Sequence, residues 1–174
     1  MTTQVCWVVA FQVEQQTYAL PVEQVVRIID MVRLTPLPGV EPAVVGAINV
    51  QGRIVPVVDL RRHFQQPPLL WKRHTPILLT AYGTQLIGLI VDTVTGVLDL
   101  SVDQLIRAAD VLPADWPAVP LIQGIARTNP GNLWLLLDLV HLFQPDQVQA
   151  MLEASAWLAQ TPTDSTVSTI GVSS

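Results

Sequence analysis

Lysine is almost missing from this chain of 174 residues: the nine basic residues include Lys72 alone, and there are one cysteine and three histidines. One lysine removes Schiff-base chemistry in practice. One cysteine, Cys6, excludes an internal disulfide and a thiolate metal cluster, and its apolar setting reads as a small buried side chain. His63, His74 and His141 are not spaced with another His, Cys or carboxylate as metal sites require. Gly46, Gly52 and Gly96 each stand singly among β-branched residues, so no phosphate-cradling loop is present. No serine sits at a strained strand-to-helix elbow; Ser101 reads as a turn or cap residue, and the other serines gather towards the C-terminus. Charge is also scarce, at 13%, and the formal net charge is -5. A nucleic-acid footprint needs clustered Lys and Arg, which the short run Lys72-Arg73-His74 does not supply. No apolar run reaches the roughly 18 residues of a membrane span, since Asp92 and Asp138 interrupt the best stretches, and MTTQVCWVV lacks the form of a signal peptide. The expectation is a cytoplasmic, non-enzymatic protein with no metal, cofactor, nucleic acid or direct membrane insertion.

What is present is a hydrophobic half, enough for a substantial core, arranged as the same unit twice. GAINVQGRIVPVVDLRRHF (46–64) and GIARTNPGNLWLLLDLVHLF (124–143) each run from a glycine-led strand through a polar turn into a second strand ending Asp-Leu. Upstream, Tyr18–Val25 is echoed by Ile87–Val94. Strands are expected over Val5–Val13, Tyr18–Leu20, Val22–Ile29, Gly46–Asn49, Ile54–Val58, Thr75–Tyr82, Gln85–Val91 and Val94–Leu98. Glu41–Val45 suits one helical turn, Ser101–Gln104 a capped turn, and Arg107–Pro120 a loop. About ten short strands with turns every 8–12 residues favour two small closed barrels over one open sheet, because closure removes exposed edges.

Asp59 and Asp138 precede short helices and read as N-caps. A paired-carboxylate active site is the sharper reading, but the two occupy equivalent positions in separate halves, and capping is favoured. A hydrolytic pairing of either with His63 or His141 rests only on a three- or four-residue separation that any surface helix offers. Gln65–His74 links the halves. Val148, Met151, Leu152, Ser155, Leu158 and Ala159 fall on one helical face, so residues 146–160 form an amphipathic helix, packed on its own barrels in the favoured reading. Residues 161–174 read as a disordered Ser/Thr-rich tail. The domain expected is 1–145, with lobes at about 4–64 and 75–143 that are free to exchange strands.

Several motifs then add up to a resemblance. Phe11, Tyr18-Ala19-Leu20-Pro21-Val22-Glu23-Gln24-Val25, the block Gly46–Arg61, Gly88–Leu98 and Leu133–Phe143 follow in order a Phe strand, Y-x-[IL]-x-[IV]-x-x-V, G-x-x-N-x-R-G-x-[IV]-[IV]-P-[IV]-[IV]-D-L-R, G-[IL]-[IV]-V-D-x-V-x-x-V-L and a closing strand with a capped helix. The chain thereby resembles the CheW-like chemotaxis coupling (scaffold) proteins. The resemblance implies a mainly β fold of two five-stranded SH3-like barrels with short capping helices. It also implies a scaffold that couples a chemoreceptor's cytoplasmic tip to the regulatory domain of a CheA-type histidine kinase, recruited to membrane-associated arrays and controlling flagellar or pilus-based motility. The alternative is a small-ligand sensor using the seam between barrels.

Two positions depart from the family pattern. The arginine of N-x-R-G is Gln51, and the acidic position two residues beyond the final Val of the Tyr motif is Arg27. With Val22, Val25, Asn49 and Gly52 they form the expected partner-binding set. A charge change at an interface rim alters partner choice more than it alters the fold.

Overall fold

The computed structural model describes residues 4–116, 121–128 and 131–160. The first hairpin joins β1 (Val5–Val13) and β2 (Gln16–Pro21), and a 3-10 turn at Val22–Gln24 leads into β3 (Val25–Asp30). A second hairpin, β4 (Val44–Val50) and β5 (Arg53–Asp59), ends in α1 (Leu60–His63). The second copy repeats this as the hairpin β6 (Pro76–Tyr82) and β7 (Gln85–Ile90), then β8 (Thr93–Ser101). After β9 (Leu105–Arg107) and α2 (Ala108–Val111) come β10 (Ile122–Thr128), β11 (Asn132–Leu137), α3 (Leu139–Leu142) and α4 (Pro145–Gln160).

Local chemistry accounts for the ends of these elements. Pro21 has no N–H to continue a ladder, so Val22 lies in a 3-10 turn instead of the strand expected over Val22–Ile29. Asp59 Oδ1 accepts from the Arg61 N–H at 3.0 Å and Asp138 Oδ1 from the Val140 N–H at 3.1 Å, the capping the sequence suggests. Ser101 and Gln104 form a reciprocal capping box. The helical turn expected over Glu41–Val45 shrinks to one bond, the Val44 N–H to Glu41 O, because β4 starts at Val44. The loop expected over Arg107–Pro120 begins as strand and helix, and its residues 117–120 lie outside the described residues, as do Asn129-Pro130 and the tail 161–174.

The strands form two sheets, in the orders β8-β1-β2-β11-β10-β9 and β3-β6-β7-β5-β4. Each sheet takes strands from both halves, so both cross the division between 4–64 and 75–143. Hairpin β1–β2 of the first copy sits between β8 and β11 of the second, and hairpin β6–β7 of the second sits between β3 and β5 of the first. The joints are parallel pairs at equivalent registers, Ala19 opposite Leu136 and Gly88 opposite Val57. Closure uses the chain itself. After β8 at one edge, one 3-10 turn delivers β9 to the other edge as a sixth strand. After β3, Thr35 bonds Ala47 in both directions, at 2.9 and 2.7 Å. That approach requires Gly46: at its φ of 153°, a Cβ would lie 2.7 Å from Thr35 O.

Each barrel has its own small interior: Val8, Ala19, Leu100, Ala126 and Leu136 in the first, and Ile48, Val55, Val57, Ile77, Leu79 and Ile90 in the second. The larger core is the seam between them, where Phe11, Leu20, Leu60, Leu89, Leu137 and Leu142 meet Met151 of α4. Each such side chain contributes about 1.5–3 kcal/mol, so most of the apolar burial welds the barrels together. Val148, Met151 and Ser155 are the buried residues of α4.

Polar staples cross the same seam. Arg61 Nε and Nη2 donate to the two oxygens of Asp92 at 2.6 and 2.7 Å, and its Nη1 donates to Glu14 Oε2 at 2.6 Å and Pro67 O at 3.0 Å. The hydrogen bond to Asp92 pushes the Arg61 pKa above its ordinary value, with burial opposing. The arginine of D-L-R and the aspartate of V-D-x-V are therefore one structural pair.

Candidate functional site

The six residues singled out in the sequence gather around one end of the second barrel. Val50 pairs with Arg53, leaving Gln51 and Gly52 as a two-residue turn with φ of 51° and 86°, the signs a type I′ hairpin requires. Gly52 meets that need without strain, whereas Gln51 adopts it as an ordinary side chain. Asn49 Oδ1 accepts from the Gly52 N–H at 2.8 Å and locks the turn. Asn49 thus has a structural task in the turn, and Gln51 is held at its exposed tip.

Across the end, Val25 lies opposite Thr80 and Arg27 opposite Leu79, with a bulge at Val26 between them. The β6–β7 turn stands between the two groups, because Tyr82 pairs with Gln85 and Arg53 Nη2 donates to Thr84 O at 3.0 Å. Val22 and Val25 are half-buried, whereas Arg27, Asn49, Gln51 and Gly52 are exposed. No hydrogen bond or ion pair joins Arg27 to Gln51 among the described residues.

Beside this end runs a groove of about 450 Å³ between α4 and Tyr82, which sequence reasoning missed. Pro145, Gln149, Leu152, Glu153 and Ala156 line it, one stripe of the helix. The helix is fixed there by its apolar face and by Gln147 Nε2 donating to Glu41 Oε2 at 2.7 Å. Leu152 was legible as part of the apolar face, but not as its uncovered margin. The outer faces of the barrels carry a second unforeseen feature. Trp7 and Val97 on β1 and β8 are each 53% exposed, and Val26 and Ile28 on β3 are 59% and 42% exposed. These are equivalent faces of the two copies.

The groups considered for catalysis are not brought into one site. Asp59 is 2% exposed and accepts from Trp71 Nε1 at 3.1 Å as well as from Arg61. His63 faces Leu142 O at 2.7 Å, not Asp59. His141 meets Asp138 at 2.7 Å on the surface. Among the described residues no group of three or more His, Cys, Asp or Glu could hold a metal. No described helix is long and apolar enough to cross a membrane.

Two barrels that trade hairpins define a double-barrel β-module. The chain belongs to the CheW-like domain family, whose model matches residues 8–147. It is 33% identical over 107 residues to the chemotaxis protein CheW of Bacillus subtilis (strain 168), covering 62% of this chain and 69% of that protein. It is 28% identical over 131 residues to the protein PilI of Pseudomonas aeruginosa, covering 75% and 71%. The crystal structure of the scaffolding protein TtCheW from Thermoanaerobacter tengcongensis superposes with a TM-score of 0.72 at 24% identity, covering 83% of this chain and 96% of that one. The protein is a scaffolding adaptor of chemosensory signalling and not an enzyme.

Proposed function

We propose that this adaptor bridges the cytoplasmic tip of a chemoreceptor and the regulatory domain of a CheA-type histidine kinase, in the cytoplasm at membrane-associated receptor arrays. The receptor tip binds at the end of the second barrel, through Val22, Val25, Arg27, Asn49, Gln51 and Gly52. One observation carries this reading: these segments converge on the β6–β7 turn beside an apolar groove along α4. A helix laid in that groove meets Leu152 and Tyr82 along its length. The kinase domain takes the exposed apolar face around Trp7 and Val97 on the other barrel. Non-catalytic coupling follows from holding two partners at once, since linked modest contacts multiply.

Arg27 and Gln51 set receptor choice. The family offers an acid and a base where this chain offers a base and an amide, so its receptor carries altered tip charges. Titration calorimetry with receptor-tip fragments tests this. Arg27→Glu with Gln51→Arg is expected to shift preference between acidic and basic tips by about tenfold, or roughly 1.4 kcal/mol. An unchanged preference sinks the assignment, while lost kinase binding by the same variant points to the wrong partner at this end.

A further inference from the structure

The seam between the barrels opens, away from the α4 groove, into a cleft of about 530 Å³ that shares no lining residue with that groove. Its walls come from both barrels, Tyr18 of β2 facing His63, Phe64, Gln65 and Gln66 at the end of α1, with Trp116 at the side. The volume lies within the range of about 300–1,000 Å³ usual for small-molecule sites, which favour such interfaces between units. Among the described residues no charged side chain lines it. A phosphate, carboxylate or ammonium ion would find no opposite charge among those lining residues.

Aromatic groups and neutral hydrogen-bonding groups remain. Tyr18 stacks on Phe64 with centroids 5.1 Å apart and on Phe11 at 6.0 Å, so its ring is fixed from the core outward. Burial pushes the Tyr18 phenol above its ordinary pKa, which keeps the hydroxyl protonated at neutral pH. His63 Nε2 lies 2.7 Å from Leu142 O, and a carbonyl oxygen only accepts, so Nε2 carries the hydrogen. In the neutral ring Nδ1 is then an acceptor, and it has no partner among the described residues.

We propose that this inter-barrel cleft binds an uncharged planar heteroaromatic molecule, its ring among Tyr18, Phe64 and Trp116 and its ring N–H donating to His63 Nδ1. Because His63 also ties α1 to Leu142, the occupant touches both barrels and stiffens the seam between the partner surfaces. A ligand held only by the folded protein raises its melting temperature.

Indole and 1-methylindole are the probes, titrated into the full ¹⁵N-labelled chain and followed by NMR. Indole is expected to shift the Gln65, Gln66, Ile122 and Leu135 amides saturably. Removing the ring N–H should weaken binding roughly tenfold, as expected for one lost hydrogen bond to a part-buried acceptor. Trp116 is 45% exposed, so Trp116→Ala leaves the fold intact and should weaken indole. Linear shifts up to the solubility limit, equal binding of both probes, or shifts centred on Tyr82 and Leu152 would each overturn the proposal. Capture of a tryptophan-bearing peptide where free indole fails would overturn it too, in favour of a protein partner.

Discussion

Arg61→Met keeps the side chain's apolar stem and removes its charge, which isolates the work of the Arg61 staple. The Arg61 and Asp92 side chains are 13% and 14% exposed. Breaking a fully buried pair costs about 3–5 kcal/mol, while exposed pairs are worth about 0.2–1 kcal/mol. This pair lies nearer the buried limit, but Asp92 keeps one partner, the Glu14 N–H at 2.7 Å. The expected loss is therefore about 2–3 kcal/mol, from leaving most of a carboxylate unpaired in the seam. For a chain of this size that lowers the melting temperature by roughly 5–10 °C. Asp92→Asn added to Arg61→Met removes the orphaned charge and should restore about 1 kcal/mol. Urea unfolding of the four proteins completes the cycle. A single-variant loss below about 0.5 kcal/mol, or strictly additive effects, would show that the staple is a surface ornament and refute the reasoning.

Asp59→Asn should cost about 1–2 kcal/mol and red-shift tryptophan emission, because its one carbonyl can serve Arg61 or Trp71 but not both; no spectral change would count against it. Gly46→Ala should cost about 3 kcal/mol in urea unfolding, with Gly124→Ala milder, since a Cβ there meets Ile106 O at 3.3 Å, not 2.7 Å. Tyr18 has a folded pKa raised by burial above 10.0, so the unfolded chain loses this proton first as pH rises. Its contribution is complete below the unfolded value and is lost as pH climbs through the folded one; Tyr18→Phe should flatten that alkaline decline in thermal melts, and an unchanged decline would assign it elsewhere.

Much of the fold was legible because its signals are local. Capping aspartates, the Gly52 turn and the β-branched composition of the strands each act within a few residues, and the structure keeps them in place. Which hairpin joins which sheet was not legible, since an echo between copies says that units are alike without saying whom each one pairs with. The Val22 turn escaped because β-branched composition outweighed one proline's missing N–H. Around the proposed partner-binding end, the sequence supplied Arg27 and Gln51 as departures from a pattern. The groove escaped because it exists only where α4 stops short of covering Tyr82, a fact of packing distance and not of periodicity.

The exchange of hairpins makes the two barrels thermodynamically indivisible. Cutting the chain in the 65–74 linker leaves neither piece with a complete sheet, since β5 needs β7 and β2 needs β11. Every sheet therefore waits on strands far apart in sequence, which slows folding and makes it all-or-none. The parallel joints leave no linker between the barrels, so partners bound to each would be held at a set spacing by backbone hydrogen bonds.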